Sequence, residues 1–366
     1  AAGHRLSLTW DTSNGYPVLT QVTDDTGATL FSAQSYAVDG ATLAFFPGTA
    51  EAYSVALTFP DQVMKSVTLT PSIGTDALLW NFLTTSIDTT WGTFISGLVG
   101  PGGYTESASY TPSGQGHPFP PSANRSSPMP YVSSFSRDPK GGQAKFESTY
   151  TYSDDDTGAN FLGNQYQNLV WDDKQDSMLK MPFDENFQYY CIETKQYKDG
   201  DDNDKTRIVK YTYNAYHLQV QEDVTDTNNT QTTITEYGGI VPGNVIDEQS
   251  AWYQLPTKKT VQWNGSNPEV TESQWDDFGN PLYRKTPDGL ISRWSYYPEG
   301  GVEGQCPPEP NNFRRFIEWK SVNPSGVTSG PWLQPDLAAT PVHQINYTYA
   351  TAETPPSWLT PFVVKS

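Results

Sequence analysis

Positive charge is scarce in this sequence of 366 residues: 22 Lys and Arg stand against 41 Asp and Glu, a formal net charge of −19. So acidic a surface repels phosphates and anionic lipid, and no run of basic residues offers a local exception, which excludes nucleic acid as a partner. Long apolar runs are missing too. No stretch approaches 18 consecutive apolar residues, so no membrane span is expected, and Ala1 to Trp10 lacks the charged-then-apolar layout of a signal peptide. Cysteine occurs twice, at Cys191 and Cys306, a spacing that fits either a disulfide or two free thiols, with free thiols favoured. The four histidines, His4, His117, His217 and His343, never fall at ligand spacing, so a Cys/His metal centre is not expected and each reads as a surface or packing residue. There is no Gly-x-Ser-x-Gly elbow and no Gly-rich phosphate loop before a helix; no cofactor and no catalytic residue is expected.

What is present is turn formers and strand formers. Gly and Pro number 29 each, aromatic residues make up 13% and charged residues only 17%, a balance that points to an all-β chain with helix content below roughly 10%. Leu6, Leu8 and Trp10 alternate, Asn14-Gly15 signals a turn, Val18 to Val22 resumes the strand and Asp25-Thr-Gly27 turns again. This predicts an N-terminal β-meander over 1–100, with a sandwich-like form as one option. Residues 101–145 are dense in Pro, Gly and Ser and read as an ordered connection that proline keeps out of interior strands. Strands resume over 146–366, around Phe146 to Tyr152, Phe187 to Tyr197, Ile208 to Tyr216, Leu218 to Val224 and Thr232 to Tyr237. The only expected helices are short, near Ala77 to Leu83 or Asp336 to Ala339. Because the sequence opens at once on strand-like residues, it reads as cut from something longer.

One internal unit stands out. Trp275-Asp276-Asp-Phe-Gly279-Asn280-Pro-Leu282 is followed by Thr286-Pro287-Asp288-Gly289 and then by Trp294-Ser-Tyr296-Tyr297. Gly279-Asn280 and Asp288-Gly289 accept the positive φ of tight hairpins, and the aromatics pack on neighbouring strands, so the unit predicts a repeated β-hairpin. Weaker echoes lie at Leu8-Thr-Trp-Asp11, Thr149-Tyr-Thr-Tyr152, Tyr211-Thr-Tyr-Asn214 and Asn346-Tyr-Thr-Tyr349.

On these residues the sequence resembles the YD-repeat, or Rhs, family of bacterial toxin shell proteins, including the insecticidal toxin complexes. The Trp275 to Tyr297 unit is similar to one complete repeat with Trp in place of the first Tyr. Gly3-His-Arg-Leu-Ser-Leu-Thr-Trp10, Glu106 to Tyr110 with Gly116-His117, Asn160-Phe-Leu-Gly163 and Tyr211-Thr-Tyr-Asn-Ala-Tyr-His217 resemble other repeat-bearing segments. The resemblance implies a hairpin ribbon, a curved sheet or spiral, that encloses a toxic cargo. It implies as partners the remainder of a larger toxin polypeptide or toxin-complex subunits, and a secreted or cell-surface location.

Two other functions are weighed against the shell. Exposed aromatics suit a carbohydrate-binding module, and Trp171 beside Asp172 and Asp173, with Trp263 beside Asn264, are the candidate sugar contacts; their bland alternative is cross-strand packing. The carboxylate clusters Asp154-Asp-Asp156 and Asp172-Asp173 would serve a glycoside-active enzyme, which needs two carboxyl groups facing one sugar. Asp199, Asp201 and Asn203 space oxygens like the first half of a calcium loop. Asp204 stands where that loop needs glycine and Lys210 where it needs a bidentate Glu, so the tract reads as a solvated hairpin tip.

Overall fold

The computed structural model describes residues 5–13, 17–73, 76–153, 156–198, 201, 203–309, 311–323, 343–351 and 362–365. Among them the chain is all-β, with strands linked by hairpin turns and three-residue 3₁₀ turns and no longer helix. It forms two compact units, one of residues 1–117, 126–150 and 194–206 and the other of residues 118–125, 151–193 and 207–366.

The first unit is built on β1 (Ser7–Asp11), β2 (Val18–Thr23), β3 (Thr29–Ala37), β4 (Gly40–Phe45), β5 (Tyr53–Thr58) and β6 (Ser66–Pro71). It continues through β7 (Leu78–Ser86), β8 (Thr93–Val99), β9 (Thr105–Tyr110), β10 (Val132–Asp138) and β11 (Phe146–Tyr152). Each strand pairs antiparallel with the next in chain order. The register lines up an apolar row, Leu8–Val22–Phe31–Phe45–Tyr53–Pro71, across six strands. Within it the Phe31 and Phe45 rings lie 5.3 Å apart and those of Phe45 and Tyr53 stack at 4.7 Å, the cross-strand packing that stabilises a pleated surface.

This is one meander rather than two packed sheets, so the sandwich-like option is set aside. A sandwich buries one face of each sheet. Here the buried apolar residues with side chains, among the described part of the unit, are small ones: Ala41, Ala44 and Pro130. Two further expectations are corrected. Ala77 to Leu83 falls largely in β7, because Leu78, Trp80 and Phe82 alternate with period two. β9 and β10 lie inside the Pro/Gly/Ser-rich stretch as interior strands, which is possible because its prolines sit between the strands and none sits within them. Asp336 to Ala339 lies outside the described residues.

After β12 (Gln188–Lys198) and β13 (Asp204–Asn214), the second unit carries β14 (Gln219–Asp226), β15 (Asn229–Glu236), β16 (Lys258–Trp263) and β17 (Glu269–Trp275). Then come β18 (Pro281–Lys285), β19 (Ile291–Tyr296), β20 (Ile317–Asn323) and β21 (His343–Asn346), while β22 (Thr348–Thr351) and β23 (Phe362–Lys365) form a separate ladder. From β13 to β21 the strands again pair in chain order. This unit has a core. Ala159, Tyr166, Leu169, Met178, Phe183 and Phe187 from the irregular segment before β12 pack with Ala215 and Tyr216 of a hairpin turn.

One five-residue turn recurs. Between β17 and β18 the Asp276 amide donates to the Asn280 carbonyl (3.0 Å) and the Gly279 amide donates to the Asp276 carbonyl (3.0 Å). The Asp276 carboxylate fills the turn: Oδ1 accepts the amides of Phe278 (2.9 Å) and Asn280 (2.8 Å), and Oδ2 accepts the Asn280 side-chain amide (3.0 Å). The strands close on the Trp275–Pro281 pair. Asp24 repeats this with the amides of Thr26 and Ala28 (2.9 Å each) and closure on Thr23–Thr29; Asn214 repeats it with Tyr216 (2.9 Å) and Leu218 (3.1 Å) and closure on Tyr213–Gln219. Thr286 opens a fourth turn with the same backbone bonds and closure on Lys285–Ile291, in which Asp288 accepts the Leu290 amide (3.3 Å). The positive φ falls on Gly279 (+79°) and Gly289 (+86°) alone, not on Asn280 or Asp288 as expected. Those two residues supply side-chain hydrogen bonds instead.

Asp276→Ala is expected to lower the stability of the second unit by about 2 kcal/mol, since hydrogen bonds to charged groups contribute roughly 1.5–3 kcal/mol. Asp276→Asn, which reproduces the Asn214 turn, should cost under about 1 kcal/mol. Urea unfolding of both variants checks this, and equal losses would show that the side-chain acceptor does not hold the turn.

Candidate functional site

The residues singled out for sugar contact are engaged within their own loops. The Trp171 indole N–H donates to Asp173 Oδ1 (2.6 Å), and the Arg125 guanidinium reaches the same oxygen (2.6 Å). Phe119 meets Trp171 edge-on at 5.1 Å, with Arg125 over the Phe119 ring at 5.0 Å. The Trp171 hydrogen bond, with Arg125, holds the Asp173 carboxyl below the usual carboxylate range. Asp172 points elsewhere: Oδ1 accepts the Lys174 amide (2.9 Å) and Oδ2 the Gln175 side chain (2.8 Å). The pair Asp172 and Asp173 therefore shapes a loop, and its oxygens do not converge on one hydrogen-bond partner.

Trp263, 49% exposed, ends β16. Its neighbour Asn264 locks the adjoining turn by accepting the Thr230 amide (2.7 Å) and donating to Asn229 Oδ1 (3.1 Å). No hydrogen bond or ring contact among the described residues joins Trp263 to the Trp171 cluster. Asp156 accepts the Tyr190 hydroxyl (2.8 Å), while Asp154 and Asp155 lie outside the described residues. So does Asp199 of the calcium-like tract; Asp201 and Asn203 are described, and among the described residues no three His, Cys, Asp or Glu side chains gather as metal ligands would. Cys191 and Cys306 are free thiols. Burial, reinforced by Glu193, pushes the Cys191 thiol up to about 11, the opposite of what a reactive thiolate needs.

The best-built polar constellation is one the sequence reading passed over. His217 bridges two residues: Nε2 donates to Asp176 Oδ2 (2.7 Å), and Nδ1 shares a hydrogen bond with the Tyr189 hydroxyl (2.9 Å). Asp176 Oδ1 meanwhile accepts the amides of Met178 (3.0 Å) and Leu179 (3.4 Å). Tyr189 stacks on Tyr213 at 5.2 Å, and burial pushes its phenol well above the usual tyrosine value. His217 occupies the left-handed position (φ +60°) that Gly27, Gly279 and Gly289 hold in the sister turns. A side chain there costs on the order of 1–2 kcal/mol, and what offsets it is the tie from the β13–β14 turn to the core segment. In a nucleophilic relay the attacking group is the accessible end. Here the phenol is the buried end and the carboxylate the more open one, so the arrangement fastens a loop. The signal available in the sequence was alignment of Asn214-Ala-Tyr-His217 on Asp276-Asp-Phe-Gly279, which sets His against Gly.

Comparison with known proteins gives little beyond this geometry. No family model matches the chain, and no curated protein does. The solved structures to which it is similar include two toxin-complex chains. The crystal structure of TcdB2-TccC3-Cdc42 is 9% identical with a TM-score of 0.28, covering 95% of this chain and 20% of that one. The crystal structure of TcdB2-TccC3-TEV is 13% identical with a TM-score of 0.16, covering 81% of this chain and 18% of that one. This chain thus spans about a fifth of the length of the structures it matches. Scores of this size do not establish a shared fold.

Burial opposes charge on Asp176, but the hydrogen bond and charge of His217 outweigh it with the Leu179 and Met178 amides, and its carboxyl is lowered. Its stabilising contribution is therefore present above the unfolded value of about 4 and is lost as pH falls through the lower folded value. Asp176→Asn is expected to be less stable than the parent at pH 7, with the gap closing below about pH 4. Urea midpoints from pH 2 to 7 measure it; a gap independent of pH would exclude the carboxylate charge as its cause.

Proposed function

We propose that this chain is a segment of the wall of a YD-repeat, Rhs-type toxin protein, which scaffolds or encloses a toxic cargo outside the producing cell and carries no catalytic residue of its own. The observation that carries the reading is the first unit. Eleven strands follow one another in chain order, yet among the unit's described residues the buried apolar side chains are only those of Ala41, Ala44 and Pro130. A sheet with no core of its own is a surface that other parts of an assembly complete, as in repeat arrays, where stability comes from neighbours. The shared five-residue turn supports the same reading, because it builds strands of fixed register from a short repeated signal. The partners this implies are the remainder of a toxin polypeptide or the subunits of a toxin complex.

A carbohydrate-binding module is the reading to be separated from it. A glycan array on the purified chain, followed by thermal melts with the strongest hits, separates the two. The wall reading expects no glycan to raise the melting temperature. A dose-dependent rise, which binding to the native state alone produces, would replace it with the sugar-binding module.

A further inference from the structure

The tyrosine hydroxyls of this chain differ in the chemistry of the group they meet. Those of Tyr110, Tyr166, Tyr216, Tyr237 and Tyr297 donate to main-chain carbonyl oxygens at 2.6 to 3.0 Å. A carbonyl accepts a hydrogen bond but does not carry the proton away. The Tyr190 hydroxyl donates to the Asp156 carboxylate (2.8 Å), and a carboxylate is a weaker base than an imidazole. Tyr189 meets an imidazole nitrogen, Nδ1 of His217, at 2.9 Å, inside the range of about 2.6–3.2 Å over which a positioned base removes a proton.

The far side of the imidazole completes the path. His217 Nε2 lies 2.7 Å from Asp176 Oδ2, and a carboxylate only accepts, so in the neutral ring Nε2 carries the hydrogen and Nδ1 is bare towards the phenol. A proton arriving at Nδ1 gives an imidazolium whose charge the Asp176 carboxylate compensates. Tyr213 stacks on the Tyr189 ring, with centroids 5.2 Å and planes 17° apart, and covers one of its faces. Burial raises both phenols, so neither gives its proton to water in the resting protein. A covered phenol makes a poor nucleophile. An electron, however, leaves it by tunnelling, with no need for the oxidant to touch the ring.

We infer that Tyr189 is a redox-active tyrosine, which gives one electron to an oxidant of the peroxyl-radical class while its hydroxyl proton passes to Nδ1 of His217. Tyr189 becomes a neutral tyrosyl radical and His217 an imidazolium paired with Asp176. The peroxyl radical becomes a peroxide anion, which takes a proton from solvent. One electron from a thiol-class reductant, with the proton returning from Nδ1, restores the phenol. The radical settles here because an oxidised phenol is a strong acid that must lose its proton, and the phenols bound to carbonyls have no base to receive it. The stacked Tyr213 ring then shields the radical from coupling with other molecules. None of these steps involves a glycan or a partner subunit, so the inference stands or falls apart from the wall reading.

The test photo-oxidises the whole chain with a ruthenium tris-bipyridyl complex and a sacrificial electron acceptor, then freezes it and reads tyrosyl radicals by electron paramagnetic resonance. A signal that outlives those of exposed tyrosines is expected, and Tyr189→Phe, which keeps the ring and its stack, should lower it at least tenfold. His217→Gly places glycine at the left-handed position that glycine holds in the sister turns. It is expected to lower the yield about a hundredfold, at the low end of what a positioned base contributes, and added imidazole should restore the signal. A long-lived signal undiminished in Tyr189→Phe would overturn the inference, as would its absence from the parent; these two results decide even where the glycine variant fails to fold. Loss in a folded glycine variant that imidazole does not restore would also overturn it, because His217 would then act by packing alone.

Discussion

A hairpin reversal leaves amide groups pointing into the turn, and an oxygen must satisfy them before two strands can stay paired. In this protein the first residue of the turn supplies that oxygen. Asp24, Asn214 and Asp276 each place Oδ1 between the amides two and four residues on. The side chain is short, so the turn is held at five residues, and turn length in turn fixes which residues face each other across the ladder. The registers of the β2–β3, β13–β14 and β17–β18 pairs follow from that turn.

The two units build on the same turn and differ in what they bury. In the second, the irregular segment before β12 folds back so that Tyr166, Met178, Phe183 and Phe187 meet Ala215 and Tyr216 of the β13–β14 turn. The turn is then both a reversal and a core element. His217 marks that double role: glycine would relieve the left-handed backbone, yet only the imidazole reaches both Tyr189 and Asp176. In the first unit the irregular residues 111–117 and 126–131 are tied to the sheet, Ser113 donating to Asp88 and Trp91 to Ser127, but among the described residues they build no comparable cluster of large apolar side chains. Its aromatic rings stack along the sheet, and its faces remain partly open.

Much of the strand pattern was legible because a two-residue period survives without tertiary context. Phe146–Tyr152 was bounded as expected, and β12, β14 and β15 fell within a few residues of their expected limits. β9 and β10 were missed because composition averages over a window, whereas proline excludes only the position it occupies. The site was less legible. Trp171, Asp172 and Asp173 are adjacent in sequence and looked convergent, but Asp173 folds onto the indole while Asp172 caps its own loop. The Tyr189–His217–Asp176 tie joins residues far apart in the chain, and no local spacing announces it.

By itself the sequence determined what short-range chemistry can enforce: an all-β chain, a net charge of −19, and a hairpin signal at Trp275 to Tyr297 whose Asp and Gly dictate a turn within five residues. Tertiary structure alone decided which faces are covered. Burial depends on what a strand meets across the sheet, and a Leu at alternate positions reads the same whether a neighbour covers it, as at Leu57, or solvent does, as at Leu8.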